Sequence, residues 1–441
     1  MTITVERSGA PTGTTLLRLA TAGSVDDGKS TLVGRLLHDS RSVLSDQLES
    51  VSRSGTPDLA LLTDGLRAER EQGITIDVAY RYFATPRRRF ILADTPGHVQ
   101  YTRNMVTGAS TAELTIVLVD ARHGIVEQTR RHAAIAALLR VPHLVLAVNK
   151  MDLVGYAEET FAAVADEFTA YATRLGVSAV TAIPVSALHG DNVVDAGAHM
   201  DWYGGPTVLE HLETVPAGHE PGAGIARFPV QYVIRPQTSD HPDYRGYAGQ
   251  IAAGSFHVGQ EVTVLPSGRT TTVAGIDVLG ESVERARAPQ SVSLRLADQV
   301  DVSRGDLIAP TASAPRVTQD IRATVCQVAD RPLVPGARVL LKHGTRTVTS
   351  MVGDIASRLT PDSLALHPAP GSLVTNDIGH VVIRTAEALP IDDYADCRRT
   401  GSFLLIDPDD GTTLAAGMAG RAFAERAGGP RPPHDDREGA R

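Results

Sequence analysis

Near the start of the chain, Gly23-Ser24-Val25-Asp26-Asp27-Gly28-Lys29-Ser30 sets two glycines, a lysine and a hydroxyl at the spacing G-x-x-x-x-G-K-[ST]. That spacing suits capture of a polyphosphate. Glycines let backbone N–H groups turn inward around phosphate oxygens, and a helix starting there adds positive potential. Lys29 would reach the β- and γ-phosphates, and the Ser30 hydroxyl would ligate Mg²⁺. Lysine usage supports this. Lys and Arg together number 42, yet lysine occurs only at 29, 150 and 342. A chain that otherwise prefers arginine keeps a compact ammonium where a guanidinium fork fits poorly between phosphates.

Further along, Asp94-Thr95-Pro96-Gly97-His98 follows an apolar run. Asp94 would hold Mg²⁺ through water, and the Gly97 N–H would touch a γ-phosphate, so the loop senses that phosphate. His98 beside it would orient or polarise the attacking water. Thr75, between the first loop and Asp94, would complete the Mg²⁺ shell and release it after hydrolysis. Asn149-Lys150-Met151-Asp152 supplies a carboxylate for the ring N–H and amino group of guanine, a pattern adenine does not offer. The stem of Lys150 would lie along the base, and Asn149 would tie loops together. Ser186-Ala187-Leu188 would give backbone donors to the guanine oxygen. Two such loops, in order after a phosphate loop, make the ligand GTP rather than ATP.

These loops need strands that end at one edge of a sheet. Leu16–Ala20, Phe90–Ala93, Leu114–Val119, Leu144–Val148 and Val180–Val185 are short runs rich in Val, Ile and Leu. Continuous runs of this kind suit strands buried on both faces of a mainly parallel sheet. Helical patterns lie between them: Ser30–His38, Glu127–Leu139 and Ala157–Leu175. The expected fold is an α/β P-loop GTPase domain followed by two small all-β barrel domains. Residues 1–15 read as a flexible lead-in, 16–215 as the GTP-binding domain and 216–225 as a Pro/Gly linker. Alternating runs and Gly/Pro turns divide the rest into barrels over 226–312 and 313–424, with a disordered tail over 425–441.

The formal net charge of -9 argues against a grip on nucleic acid, which needs clustered Lys and Arg. Two cysteines, Cys326 and Cys397, make no disulfide framework and suggest a reducing compartment. No apolar run approaches a membrane span, and no stretch resembles a signal peptide, so the expected location is cytoplasmic.

Residues 16–310 resemble a translational GTPase of the elongation-factor type. More narrowly, the chain resembles the GTPase subunit of heterodimeric bacterial sulfate adenylyltransferase. That likeness rests on Val25–Leu32, Asp58–Leu62, Asp64–Leu66, Ala68–Phe83, Gln100–Met105, Trp202-Tyr203, Arg227–Val233 and Ser303–Leu307. The resemblance implies that Gly23 to Thr31 bind phosphates, Ser30 and Thr75 touch Mg²⁺, and His98 promotes hydrolysis. Asn149, Lys150 and Asp152 would bind guanine. It implies that GTP hydrolysis drives formation of adenylyl sulfate and pyrophosphate from ATP and sulfate on a smaller ATP-sulfurylase partner. Some relatives carry a fused adenylyl-sulfate kinase; with no second Gly-Lys-Ser/Thr here, no kinase activity is expected. Neither Ser-Gly-Gly-x-Asp-Ser nor His-x-Gly-His occurs, so adenylyl transfer belongs to another chain. The alternative is an elongation-factor-type GTPase that carries aminoacyl-tRNA.

Overall fold

The computed structural model describes residues 15–40, 78–97, 102–177, 179–217, 225–236, 244–361 and 363–420. The lead-in, the tail, most of the linker, Thr75 and His98 lie outside these residues.

Six strands form the first sheet: β1 (Thr15–Gly23), β2 (Ala79–Ala84), β3 (Arg88–Asp94), β4 (Leu114–Asp120), β5 (His143–Asn149) and β6 (Val180–Pro184). Their order is β2-β3-β1-β4-β5-β6, with β2 antiparallel to β3 and every other pair parallel. All seven residues of β4 are buried. Side chains alternate between the two faces of a strand, so both faces must be covered. Leu114, Ile116 and Leu118 pack with α1 (Lys29–Asp39), through Leu32 and Leu36. Val117 and Val119 pack on the other face with α2 (Thr102–Ser110), α3 (Glu127–Leu138) and α4 (Glu158–Arg174). Each such side chain contributes about 1.5–3 kcal/mol by leaving water. A last helix, α5 (Val208–Thr214), closes the α1 face with Val208 and Leu212; Thr207 caps it by accepting from the Glu210 N–H at 3.2 Å.

Most of the remaining strands form two barrels, while Ser255–His257 and Arg285–Arg287 pair apart as a two-stranded sheet. In the first, Phe228–Pro229, Leu307–Pro310, Glu261–Leu265, Arg269–Val278, Ser291–Leu296 and Gly246–Gln250 are neighbours in that order. An isolated bridge between Arg227 and Ala253 brings the two ends together. The apolar run Phe228–Ile234 is not one strand. Phe228 and Pro229 pair with Ile308 and Leu307, whereas Tyr232–Ile234 pair with Gly246–Ala248, so the chain changes partner between them. The second barrel is closed. Arg338–His343, Ser402–Ile406, Thr413–Ala419, Arg316–Gln327, Ile378–Ile391 and Arg346–Thr360 follow in order, and the last pairs again with the first. Closure removes exposed strand edges. Among the described residues no helix is long and apolar enough to cross a membrane.

Candidate functional site

Five loops leave the carboxyl ends of parallel strands, at Gly23, Asp94, Asp120, Asn149 and Pro184. In an open α/β sheet this edge is where a ligand binds. The switch in strand order, with β3 on one side of β1 and β4 on the other, falls at the first of them.

The phosphate loop is shaped by Gly28, whose φ of 92° lies in the left-handed region. A Cβ there would also strike the Asn149 amide. Helix α1 starts at the next residue without a side-chain cap. The loop side chains divide. Val25 and Asp26 face solvent, Ser24, Ser30 and Thr31 are half-buried, and Asp27 and Lys29 are buried. Lys29 Nζ donates to the carbonyls of Gly23 at 3.0 Å and Ser24 at 2.7 Å. Burial lowers the pKa of its ammonium, while the carboxylates of Asp94, Asp27 and Asp26 oppose that shift. Asp27 Oδ2 accepts from the Ser24 N–H at 2.5 Å and straps the loop across itself. Burial raises the Asp27 carboxyl, against that N–H and Lys29.

Asp94 is 1% exposed, and its Oδ1 accepts from Thr21 Oγ1 at 2.7 Å. Thr95 Oγ1 donates to the Thr21 carbonyl at 2.5 Å, so the loop after β3 is fastened to β1. Pro96 and Gly97 are buried, and a Cβ at Gly97 would collide with Lys29 Nζ and approach the Gly23 carbonyl at 2.9 Å. Only glycine permits this approach to the phosphate loop. Ser30 and Asp94 offer hydroxyl and carboxylate oxygens, a donor set that fits Mg²⁺.

At the end of β5, Asn149 joins two loops. Its Nδ2 donates to the Asp27 carbonyl at 2.8 Å, and its Oδ1 accepts from the Ala187 N–H at 3.0 Å. Lys150 sits at φ 62° and Asp26 at φ 66°, both strained for residues with a side chain. The two touch: Lys150 Nζ donates to the Asp26 carbonyl. Met151 is fully buried, and its N–H donates to the Val185 carbonyl at 3.2 Å. Asp152 Oδ1 accepts from Ser186 Oγ at 2.7 Å, and His189 Nε2 stands 3.9 Å from Asp152 Oδ2. Ser186 and Ala187 are buried, whereas Leu188 is 63% exposed. Thus the P-loop, Asp94–Gly97, Asn149–Asp152 and Ser186–Leu188 meet at one sheet edge.

Sequence reasoning passed over Asp120 and the Gln128–His132 pair. Asp120 lies buried at the end of β4, 3.0 Å from Lys150 Nζ. Burial alone would raise its carboxyl; hydrogen bonds from Arg122 and Lys150 hold it well below the usual range. An acidic residue closing an apolar run in a doubly wound domain was the available signal. Gln128 Nε2 donates to the Gly97 carbonyl at 3.4 Å and lies 3.0 Å from His132 Nε2. Burial, then the Lys29 and Arg131 charges, lower the His132 imidazole to about 3.

A family model described as the elongation factor Tu GTP binding domain matches residues 14–217. A second, described as GTP-eEF1A C-terminal domain-like, matches residues 320–419. The "Bifunctional enzyme CysN/CysC" of Mycobacterium tuberculosis H37Rv is 56% identical over 424 residues, covering 95% of this chain and 69% of that protein. "Sulfate adenylyltransferase subunit 1" of Vibrio parahaemolyticus is 48% identical over 93% of this chain and 87% of its own length. The protein of the same name from Methylorubrum extorquens PA1 is 48% identical over 95% of this chain and 90% of its own length. With likeness of this extent across the GTP-binding domain and both barrels, the chain belongs to the sulfate adenylyltransferase subunit 1 family, within the elongation-factor-Tu-like GTPases.

Proposed function

We propose that this chain is the GTP-hydrolysing subunit of a sulfate adenylyltransferase. Its GTP turnover drives formation of adenylyl sulfate and pyrophosphate from ATP and sulfate on a smaller catalytic partner. The observation that supports this reading is that the relatives named as subunit 1 align with nearly the whole chain. No stretch of the sequence fits a second Gly-Lys-Ser/Thr loop, so we assign these residues neither adenylyl transfer nor kinase chemistry.

In this reading the amides of Gly23 to Thr31 and Lys29 Nζ hold the β- and γ-phosphates. Ser30, Thr75 and Asp94 hold Mg²⁺, which when bound offsets charge on those phosphate oxygens. Thr95 and Pro96 set the direction of the loop that aims the Gly97 N–H at the γ-phosphate. His98 orients the attacking water. Asn149, Lys150, Met151 and Asp152, with Ser186, Ala187 and Leu188, enclose guanine. Thr75 and His98 enter from their place in the sequence alone. The domain extents we propose are 16–215, 226–312 and 313–424, in a cytoplasmic heterodimer with no nucleic-acid or membrane partner.

The test is pyrophosphate release from ATP and sulfate by this chain co-expressed with its genomic neighbour, with and without GTP. Sulfate-dependent release that GTP raises is the expected result. Intact GTP hydrolysis with no release in either condition would return the reading to an aminoacyl-tRNA carrier.

A further inference from the structure

The loop that carries Ser186–Leu188 has five backbone N–H groups between 186 and 190, and four are spoken for. Ser186 N–H donates to the Asp191 carbonyl, Ala187 N–H to Asn149 Oδ1, His189 N–H to Ser186 Oγ, and Gly190 N–H to the Ser186 carbonyl. Among the described residues, the Leu188 N–H has no partner. It therefore is the one amide of this loop left to bind a ligand.

Leu188 N–H belongs to the peptide whose carbonyl is that of Ala187, and that peptide is trans. In a trans peptide the C=O and the following N–H point in opposite directions. Whatever holds the Ala187 carbonyl therefore aims the Leu188 N–H. The holder is Arg35, on the helix that begins at the phosphate lysine. Its Nε donates to the Ala187 carbonyl at 3.3 Å and its Nη2 to the Leu188 carbonyl. Asp39, one turn on, stands 3.6 Å from Arg35 Nη1 and steadies the fork. A Cβ at Gly190, where φ is 92°, would meet Asp39 Oδ2 at 3.4 Å and Arg35 Cδ at 3.5 Å, so the loop rests directly on this pair. A cation drawing on a carbonyl also polarises the N–H across the same peptide.

We propose that Arg35 is a positioning residue for base recognition, holding the Ala187–Leu188 peptide so that its N–H meets the six-position oxygen of guanine. A lysine there keeps the charge but cannot bridge two carbonyls in a fixed fork. The inference rests on the guanine reading of this site.

The test compares dissociation constants for GDP and 6-thio-GDP, which keeps the ring N–H and amino group but replaces the oxygen with a poor acceptor. The wild-type chain is expected to prefer GDP by roughly tenfold, the worth of one well-made hydrogen bond. Arg35→Ala is expected to shrink that preference to below about threefold, and Arg35→Lys to fall between, with the Lys variant standing in should the Ala variant not fold. Equal loss of both affinities, or an unchanged preference in both variants, would reduce Arg35 to a structural brace and overturn the proposal. A wild-type chain that binds the two nucleotides equally would overturn it at its premise, the base reading, whatever Arg35 does.

Discussion

The Asp152 carboxylate is held in place by its own chain. One oxygen accepts from Ser186 Oγ at 2.7 Å, and the side chain is 13% exposed. An acceptor in that place matches the ring N–H and amino group of guanine. Asp152→Asn puts an NH₂ group where an oxygen stood, so guanine meets a donor with a donor. GTP affinity is expected to fall at least about a hundredfold, and affinity for XTP, which presents a carbonyl there, to rise. Competition between the two nucleotides checks this, and a variant that still prefers GTP would remove Asp152 from the base site. That the loops carrying Gly28, Lys29 and Asp152 meet at one sheet edge was legible, because each follows a continuous apolar run that makes a parallel strand. Arg35 and Asp120 were not legible, because their roles come from what they touch. Arg35 reaches across 152 residues to Ala187.

Helix α3 presents its own consequence. His132 is 1% exposed, and among the described residues its Nδ1 has no hydrogen-bond partner. Its folded pKa of about 3 lies below the ordinary value of 6.5. Below pH 6.5 the unfolded chain therefore binds a proton that the folded chain refuses. Stability is lost as pH falls from about 6.5 towards about 3, at up to about 1.4 kcal/mol per pH unit. His132→Gln should flatten the decline between pH 6.5 and 4.5. His211 and His343, also lowered by burial, titrate in both chains, so the difference between them isolates His132. Urea midpoints at stepped pH measure it, and an equally steep decline in the variant would count against the role. In the first sheet, the strands read from the sequence were those with a continuous apolar run. The edge strand β2 escaped because Tyr80 and Tyr82, 44% and 72% exposed, break up its apolar signal, and among the described residues it pairs with β3 alone. The long strand Arg346–Thr360 of the closed barrel alternates in burial and offers no continuous apolar run to mark it.

Across the whole molecule, polar contacts join the GTP-binding domain to the second barrel and the two barrels to each other. Tyr394 Oη donates to the Leu139 carbonyl at 3.0 Å, and Tyr171 Oη to the Pro361 carbonyl at 2.6 Å, joining the GTP-binding domain to the second barrel. Cys326 lies in the same apolar cluster, and burial pushes its thiol up to about 12, which makes it a packing group. The two barrels meet at Arg227 and Asp392, both buried and joined by two hydrogen bonds of 2.8 and 2.7 Å. Thr400 Oγ1 also donates to Asp392 at 2.5 Å. Arg227→Met would leave that carboxylate buried without its cation. The expected loss is about 3–5 kcal/mol, with Arg227→Met/Asp392→Leu recovering much of it. Thermal unfolding of the three chains checks this; a single variant as stable as the wild type would show that the pair does not join the barrels.

The sequence alone determined the class of fold. A strand–glycine loop–helix and two base loops in order allow few alternatives, and runs of Val, Ile and Leu require a sheet covered on both faces. Only the tertiary structure decided which amide of Ser186–Leu188 is left open and that Arg227 finds Asp392 165 residues away. These depend on distances between segments remote in the chain. Local pattern carries no information about such distances until packing has brought the segments together.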